Sequence, residues 1–274
     1  NVAATAKKLK IPVLYYICPQ VWAWRSGRVK KIAKLVNHIA VILPFEADIF
    51  RKHQVPATFV GHPLLDNNHY LQEPTLNKQT EHNPVVGLLP GSREKEIAKH
   101  LPVMLDAAII LTDRIKNLKF IVSLAPGVVR EYVEEIIAKQ KVLTNFELAT
   151  GSVTKVFEKC SLVVAASGTV TLESAISGIP MVIIYKVSPV SYWLGRALIS
   201  VEHIGLVNLI AGKKLVPELL QREASPGRIA DTVFEMLSDA PGLERLKNEL
   251  LSIRDALGGP GASERVADIA LNML

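Results

Sequence analysis

The sequence predicts an α/β protein in which parallel sheets are covered by helices. Short apolar segments of strand length alternate with amphipathic helical segments almost throughout the 274 residues, and this alternation is typical of parallel sheets with crossover helices. A chain of this length, with 49% apolar residues, exceeds the usual size of one domain, about 100 to 200 residues. We therefore expect two lobes, each built around its own sheet.

The first lobe is predicted over residues 1–65. Its strands are expected at 13–17, 38–43 and 58–60, with helices near 28–35 and 46–52. Three strands are too few for a doubly wound sheet, and the chain opens with Asn1 inside a helical pattern rather than with Met. Both features predict that strands upstream of Asn1 are missing from this polypeptide.

Residues 66–83 are polar and aperiodic and are interpreted as an interdomain linker. A second, nearly complete doubly wound lobe is predicted over residues 84–257. Its strands are expected at 85–89, 119–124, 146–148, 162–166 and 181–185, with helices near 97–112, 129–139 and 170–177. The tail is helical from Gly227 with a break near 258–261, and the last segment, 258–274, is expected to cross back to the first lobe.

The composition narrows the classes of protein that we expect. The longest wholly apolar runs are far shorter than the roughly 18 residues of a membrane-spanning helix, and the first residues do not form the pattern of a secretory leader. Cys18 and Cys160 lie in or beside apolar strand-like segments, where buried thiols are favoured over a disulfide in a cytoplasmic protein. We expect a protein that is neither membrane-spanning nor secreted.

The formal charge of +6 is unevenly distributed. Five cations fall within ten residues that contain no acid: Arg25, Arg28, Lys30, Lys31 and Lys34. This segment is interpreted either as a solvated helix face or as a surface for phosphate or anionic lipid. Because no aromatic-interleaved RNA motif or zinc spacing accompanies it, nucleic acid is not an expected partner.

Two strand-to-helix turns have the composition of phosphate-binding sites. In the first, Gly91 permits close backbone approach, Ser92 can cap the helix and Arg93 can clamp a phosphate; an ordinary capped turn is the alternative. In the second, Ser167, Gly168 and Thr169 open a helix that carries Glu173 one turn further on. Hydroxyls and amides suit a pyrophosphate and the carboxylate suits ribose, whereas a variant capping box of Thr169 with Glu173 is the structural alternative. Together the turns predict a nucleotide site.

Other cofactor and metal sites are not expected. The sequence has no G-x-G-x-x-G motif and no Walker A motif, so the usual loops for dinucleotides and for nucleoside-triphosphate hydrolysis are missing. It has no Asp-x-Asp pair and no His or Cys cluster at ligand spacing. Single histidines such as His100 are interpreted as core or surface groups.

Six motifs occur in a fixed order from near the first residue to the last third of the chain. They are Pro19-Gln20-Val21-Trp22-Ala23-Trp24-Arg25, Leu43-Pro44-Phe45-Glu46, Val60-Gly61-His62-Pro63, Leu89-Pro90-Gly91-Ser92-Arg93, Ser167-Gly168-Thr169 with Glu173, and Val207-Asn208-Leu209-Ile210. In this order they resemble the landmarks of lipid-A-disaccharide synthases. Ser-Gly-Thr is shared with other two-lobed sugar transferases, but Val-Trp-Ala-Trp-Arg and Val-Asn-Leu-Ile are much more specific.

The resemblance implies two Rossmann-like lobes of the GT-B glycosyltransferase type, the first incomplete here, and catalysis without a metal ion or other cofactor. It implies an inverting hexosyltransferase of lipid A (lipopolysaccharide) biosynthesis, which joins UDP-2,3-diacylglucosamine to 2,3-diacylglucosamine 1-phosphate and releases UDP. The product is the β-1,6-linked lipid A disaccharide 1-phosphate. It also implies a peripheral position on the cytoplasmic face of the bacterial inner membrane. The oligomeric state, a homodimer included, stays open.

The resemblance also implies roles for individual residues. Those expected to bind UDP are Gly91, Ser92, Arg93, Ser167, Gly168, Thr169, Glu173 and Asn208, although Asn208 has a loop-capping role as its alternative. Trp22, Trp24 and Arg25 are expected to contact the acceptor or the other lobe, with simple packing as the alternative. An apolar stripe along residues 190–201 is interpreted as buried or, alternatively, as a surface for acyl chains.

The family's glycine-rich turn and catalytic aspartate have no matching position in this sequence. Inversion at the anomeric carbon needs a base for the attacking hydroxyl, so the base stays unassigned and the polypeptide is expected to be inactive on its own. The alternatives are a nucleotide-sugar-binding fragment without turnover, or another UDP-N-acetylglucosamine enzyme of the same fold.

Overall fold

The structure is a computed structural model, and it describes residues 2–19, 27–67, 70, 83–140, 146–187 and 203–274. Most of the expected linker lies outside these residues, as do Trp22, Trp24, Arg25 and the stripe at 190–201. The described residues form two compact units, one of residues 2–19, 27–67, 70 and 254–274, and the other of residues 83–140, 146–187 and 203–253. Each unit contains a parallel sheet with helices, so the predicted α/β class is confirmed.

The first unit opens with a helix and three strands joined by helices. These elements are α1 (Val2–Lys8), β1 (Leu14–Tyr16), α2 (Gly27–Ala33), β2 (His38–Val41), α3 (Glu46–Arg51), β3 (Ala57–Phe59) and a 3₁₀ helix (Pro63–Asp66). The strands pair in parallel in the order β1-β2-β3. Ile39 and Val41 of β2 pack with Val29 of α2 and Phe50 of α3 in a small buried core. The predicted strands are confirmed to within two residues at each end.

The second unit alternates strands and helices through six strands. Its elements are β4 (Val85–Leu89), α4 (Glu94–Arg114), β5 (Lys119–Leu124), α5 (Arg130–Ala138), β6 (Phe146–Thr150), α6 (Thr154–Phe157), β7 (Leu162–Ala166), α7 (Thr169–Ile176), β8 (Met181–Tyr185), α8 (Leu206–Ala211), β9 (Glu218–Leu220), α9 (Pro226–Ser238) and α10 (Ala240–Ala256), of which the last three residues belong to the first unit. All strands are parallel, in the order β6-β5-β4-β7-β8-β9. The chain winds outward from β4 through β6 and then returns to the other side of β4. The sheet is therefore doubly wound, with its switch point between β4 and β7.

The local sequence explains most of the second unit. Strands β4, β7 and β8 are nearly continuous apolar runs, as strands covered on both faces must be, and four predicted strands (β4, β5, β7 and β8) match residue for residue. Helix α4 buries Leu101, Met104, Leu105 and Ala108 at helical spacing against the sheet and α9. The sequence does not predict strand β9, because a strand of three residues directly after Pro217 carries almost no periodic signal.

The C-terminal helix α11 (Ala262–Leu271) belongs to the first unit. The carboxylate of Asp66 accepts hydrogen bonds from the backbone N–H groups of Gly261, Ala262 and Ser263 at 2.8 to 3.0 Å and from the Ser263 hydroxyl at 2.7 Å. These bonds hold the pKa of Asp66 at about 2 although burial acts in the opposite direction. Asp66 thus fills the anion-binding amino terminus of α11. None of the described helices is long and apolar enough to span a membrane.

Candidate functional site

A cavity of about 490 Å³ lies at the carboxyl ends of β4, β5, β6 and β7 in the second unit. Its walls include Gly91–Arg93 after β4, Ala125 and Pro126 after β5, Gly151–Val153 after β6 and Ser167–Thr169 after β7. The cavity therefore spans the switch point of the sheet, where doubly wound folds bind ligands. Both turns that the sequence singled out lie on this cavity.

The turn after β4 is shaped by Gly91 and Glu96. Gly91 has a φ of +121°, and a Cβ at this position would lie 2.8 Å from both Cβ and Oε2 of Glu96. Glycine is therefore required for the Glu96 side chain to fold back over the turn. The prediction that Ser92 caps the helix is wrong: the N-cap residue is Arg93, in an extended conformation without a side-chain cap bond. Instead, Oε2 of Glu96 accepts a hydrogen bond from the Ser92 backbone N–H at 3.2 Å.

Arg93 projects from this turn and is 79% exposed. One guanidinium nitrogen, Nη1, donates to Oε1 of Glu96 at 2.7 Å. Burial raises the pKa of Glu96, but the hydrogen bonds from Arg93 and from the Ser92 N–H outweigh burial and lower this pKa below its ordinary value. Glu96 is thus a carboxylate inside a site that the sequence predicted for phosphate.

The turn after β7 presents a helix amino terminus to the same cavity. Gly168 is the N-cap of α7, with an extended backbone, so Thr169 is the first helical residue and the capping box of Thr169 with Glu173 does not describe this turn. Thr171, one turn in, donates its hydroxyl to the Gly168 carbonyl at 2.8 Å. The Ser167 N–H is bonded to the Ile184 carbonyl of β8 at 2.9 Å, so Ser167 offers its hydroxyl rather than its N–H. Glu173 also lines the cavity.

His100 ties the first turn to the end of β8. It is only 3% exposed, and its Nε2 accepts a hydrogen bond from the Lys186 backbone N–H at 3.1 Å. Its Nδ1, 3.1 Å from the Pro90 carbonyl, must then carry the proton and donate it. Burial lowers the pKa of His100, and the Pro90 carbonyl only partly opposes this. A neutral imidazole therefore holds the backbone just before Gly91 in place.

Three residues at or beside the cavity were missed by the functional interpretation of the sequence. No sequence motif points to Glu96, and the sequence predicts only a core or surface role for His100. Ser152, after β6, accepts from the Thr154 N–H at 3.3 Å and lines the cavity. Their common signal is position, since each lies just after a strand or on the first turns of the following helix.

Asn208 lies apart from the cavity lining. It is fully buried, and its amide nitrogen donates to the Val216 carbonyl at 2.9 Å and to Oε1 of Glu218 at 2.7 Å. Its amide oxygen accepts from the N–H groups of Leu215 and Val216 at 2.8 and 2.9 Å. All four hydrogen bonds of this amide are used within the protein. The loop-capping alternative describes Asn208, and the structure does not bring it to the predicted nucleotide site.

The first unit contains a second cavity and a concentration of cations. The cavity, of about 440 Å³, is lined by Tyr15 and Val36 together with Arg28 and Lys31. The exposed cations of α1, α2 and their following turns are Lys7, Lys8, Lys10, Arg28, Lys30, Lys31 and Lys34. No acidic residue precedes Glu46 in the sequence. Across the part of the chain that the structure describes, no three His, Cys, Asp or Glu side chains converge as a metal site.

Solved structures with this architecture include proteins that act on nucleotide sugars. The Staphylococcus aureus MnaA–UDP co-structure has a TM-score of 0.64 at 15% identity, covering 99% of this chain and 73% of that one. The UDP-GlcNAc 2-epimerase of Neisseria meningitidis, bound to UDP-GlcNAc, has a TM-score of 0.63 at 14% identity, covering 98% and 72%. Acinetobacter baumannii MurG has a TM-score of 0.57 at 17% identity, covering 97% and 68%. The fold is that of the GT-B class, as the motifs implied.

Comparison with known sequences identifies the family, which the shared fold alone does not. A profile of the family described as lipid-A-disaccharide synthetase matches residues 1–265. The lipid-A-disaccharide synthase of Geobacter metallireducens is 44% identical over 283 residues, covering 100% of this chain and 72% of the relative. That of Coxiella burnetii is 39% identical over 282 residues, covering 100% and 73%. The chain belongs to the lipid-A-disaccharide synthetase family.

Proposed function

We propose that the protein is an inverting glycosyltransferase that joins UDP-2,3-diacylglucosamine to 2,3-diacylglucosamine 1-phosphate, giving lipid A disaccharide 1-phosphate and UDP. One observation carries the assignment of the donor site. In a chain of this family, the cavity at the switch point between β4 and β7 brings Arg93 and the amino termini of α4 and α7 to one space. This arrangement suits the diphosphate of a nucleotide sugar.

The diphosphate is proposed to lie between the turns after β4 and β7. The first N–H groups of a helix have no partner within it, and they place roughly half a positive charge at the amino terminus. The planar guanidinium of Arg93 can donate two parallel hydrogen bonds to phosphate oxygens. The same groups stabilise the negative charge that grows on UDP as its bond to the sugar breaks.

The nucleoside is proposed to extend along α7. Glu173 lies one turn inside this helix and lines the cavity. An ionised carboxylate only accepts hydrogen bonds, so the hydroxyls of ribose are suitable partners. We assign no general base to the residues that the structure describes.

The cationic face of α1 and α2 is proposed to rest on the cytoplasmic surface of the inner membrane, because both proposed substrates are diacylated and their acyl chains favour a bilayer. Each cation near an anionic membrane contributes about 1 kcal/mol of attraction, and seven exposed cations lie on these elements and their following turns. The expected result is binding to vesicles with anionic lipid that is weakened by salt. Equal binding to purely zwitterionic vesicles would contradict the electrostatic part of this proposal.

Calorimetry tests the donor site directly. UDP should bind the 274-residue chain with a chelator present, because Arg93 and the helix amino termini supply the positive potential. Loss of binding on chelation, restored by magnesium, would show that a metal ion is required.

A chimera tests the transfer reaction. This chain would replace the matching 72% of the Geobacter metallireducens relative, and the purified chimera would be incubated with both diacylated substrates. Disaccharide formation is expected. A chimera that folds and binds UDP but forms no disaccharide would contradict the proposed reaction and leave only a nucleotide-binding role.

A further inference from the structure

The Glu96 carboxylate binds the hydrogen-bond donors of the turn after β4, where the diphosphate is proposed to lie. Its Oε1 takes the hydrogen bond of Arg93 Nη1 at 2.7 Å, and its Oε2 takes that of the Ser92 N–H at 3.2 Å. Both carboxylate oxygens are thus bound to the donors that the phosphate of a nucleotide sugar would use. The carboxylate is an anion of similar hydrogen-bonding character to phosphate, supplied by the protein itself.

The backbone is built to admit this carboxylate. Gly91 has a positive φ, and any Cβ there would collide with Cβ and Oε2 of Glu96 at 2.8 Å. The Glu96 side chain is 36% exposed, so it lies along the cavity wall rather than in free solvent, and it is one of the cavity-lining residues. Its position is therefore specified by the turn and is not a random surface rotamer.

A diphosphate and the Glu96 carboxylate cannot both take these two hydrogen bonds. Like charges at contact distance repel, and the repulsion is stronger in a partly desolvated cavity than in water. The ion pair that Glu96 must release is a weak one, because Arg93 is mostly exposed and ion pairs in solvent contribute little. The carboxylate can therefore be displaced by a ligand with more charge.

The amino terminus of α11 offers a comparison within the same chain, because it also binds a carboxylate of the protein. At the amino terminus of α11, Asp66 takes four hydrogen bonds at 2.7 to 3.0 Å. At α4, the Glu96 carboxylate is bound by the Ser92 N–H at the longer distance of 3.2 Å and by the side chain of Arg93, which is largely exposed, and the Arg93 backbone N–H also favours its charged form. The amino terminus of α4 is thus held less firmly than that of α11.

We propose that Glu96 is an exchangeable occupant of the diphosphate site: it holds Ser92 and Arg93 in the free protein and leaves them when a nucleotide diphosphate binds. This inference rests on the proposed UDP site. Its consequence is that the Glu96 charge opposes nucleotide binding. The carboxylate thereby favours release of UDP, the product, and sets the donor affinity below what the turn alone could reach.

The test is calorimetry with UDP and with uridine on the wild type, Glu96→Gln and Glu94→Gln. Glutamine keeps the shape of Glu96 but removes its charge, so UDP should bind roughly 3- to 10-fold more tightly, with uridine unchanged. Glu94→Gln removes the same charge from the same helical turn at an exposed position that does not line the cavity. It should change UDP affinity by less than about twofold.

Each outcome decides the proposal. Weaker UDP binding by Glu96→Gln would overturn it, because Glu96 would then serve to position Arg93 for phosphate. Unchanged binding, or equal tightening by Glu94→Gln, would also overturn it. Glu96→Ala is also expected to bind UDP more tightly than the wild type, and it replaces Glu96→Gln in the test if the glutamine variant does not fold. If the wild type binds no UDP, the proposed donor site fails as well, and that result is distinct from UDP binding that Glu96→Gln leaves untightened.

Discussion

The Gly91–Arg93 turn and the Val207–Ile210 segment are equally prominent in the sequence, but the structure uses them differently. Asn208 is fully buried, and all four hydrogen bonds of its amide go to the protein. Arg93 is 79% exposed, and its only described ion pair is with Glu96 on the first turn of the helix that follows it. A polar residue of a family motif can serve a ligand only where the fold has not already used its hydrogen bonds.

The largest expected effect is on stability, from Asn208→Ala. The substitution leaves the buried N–H and carbonyl of Val216 without their side-chain partner, and it removes one of the hydrogen bonds of the Leu215 N–H and of the Glu218 carboxylate. Such losses add to about 3 to 5 kcal/mol. Chemical denaturation measures it. The matched control is Asn248→Ala, which removes one exposed hydrogen bond to the Glu244 carbonyl and should cost less than about 1 kcal/mol. If the Asn208→Ala protein had normal stability but failed to bind UDP, Asn208 would serve the ligand rather than the fold, contrary to the comparison with Arg93.

Arg93→Ala should instead weaken UDP binding and leave the stability of the protein nearly unchanged. UDP binding should weaken by about 1.5 to 3 kcal/mol, the scale of a charge-assisted hydrogen bond, whereas uridine binding and stability should barely change. Arg130→Ala is the control, because Arg130 also forms an exposed ion pair on a helix, with Glu134, but does not line the cavity. Equal weakening of UDP and uridine would show that Arg93 supports the fold or contacts the base rather than the phosphate.

His100→Asn should lower the stability of the protein by an intermediate amount that depends on pH. Because burial lowers the pKa of His100, the unfolded chain takes up a proton below pH of about 6.5 while the folded protein does not. Wild-type stability should therefore rise with pH up to about 6.5 and then level off. The variant should lose about 1 to 2 kcal/mol at pH 8 and show a smaller slope between pH of about 5 and 6.5. An unchanged slope would mean that His100 is not the titrating group.

Asp66→Asn, in the first unit, should cause the smallest loss of stability. The pKa of Asp66 is lowered to about 2, so its contribution to stability is present above the unfolded value near 4 and is lost as the pH falls from about 4 to 2. Solvent screening limits this contribution to about 1 kcal/mol. Thermal unfolding at pH 7 and at pH 3 should show the deficit of the variant shrinking at low pH. Asp48→Asn, which removes an exposed ion pair with Arg51, should show no such change.

Most of the fold was accessible from the sequence because it depends on periodicity. Strands such as β4, β7 and β8 are continuous apolar runs between turn residues, and the long helix α4 has a clear buried face. Strand β9 and the short helix α8 were missed because three to six residues are too few to show a period. The break near Gly258 and Gly261 was found because glycines mark chain reversals.

The site was accessible only in part. The turns after β4 and β7 could be found because each combines glycine with hydroxyl groups directly after a strand. Glu96 could not be found, because its role depends on a side chain that folds back over Gly91. The burial of Asn208 depends equally on a loop eight residues further on, and local sequence patterns carry no information about such a contact.

A crystal structure of the UDP complex tests the proposed donor site most directly. We expect the diphosphate between the Gly91–Arg93 turn and the amino terminus of α7, within hydrogen-bonding distance of Arg93, with the carboxylate of Glu96 turned away from the Ser92 N–H. A diphosphate bound elsewhere in the second unit, or bound at this turn only through a metal ion, would contradict the central claim that the turns after β4 and β7 hold the nucleotide.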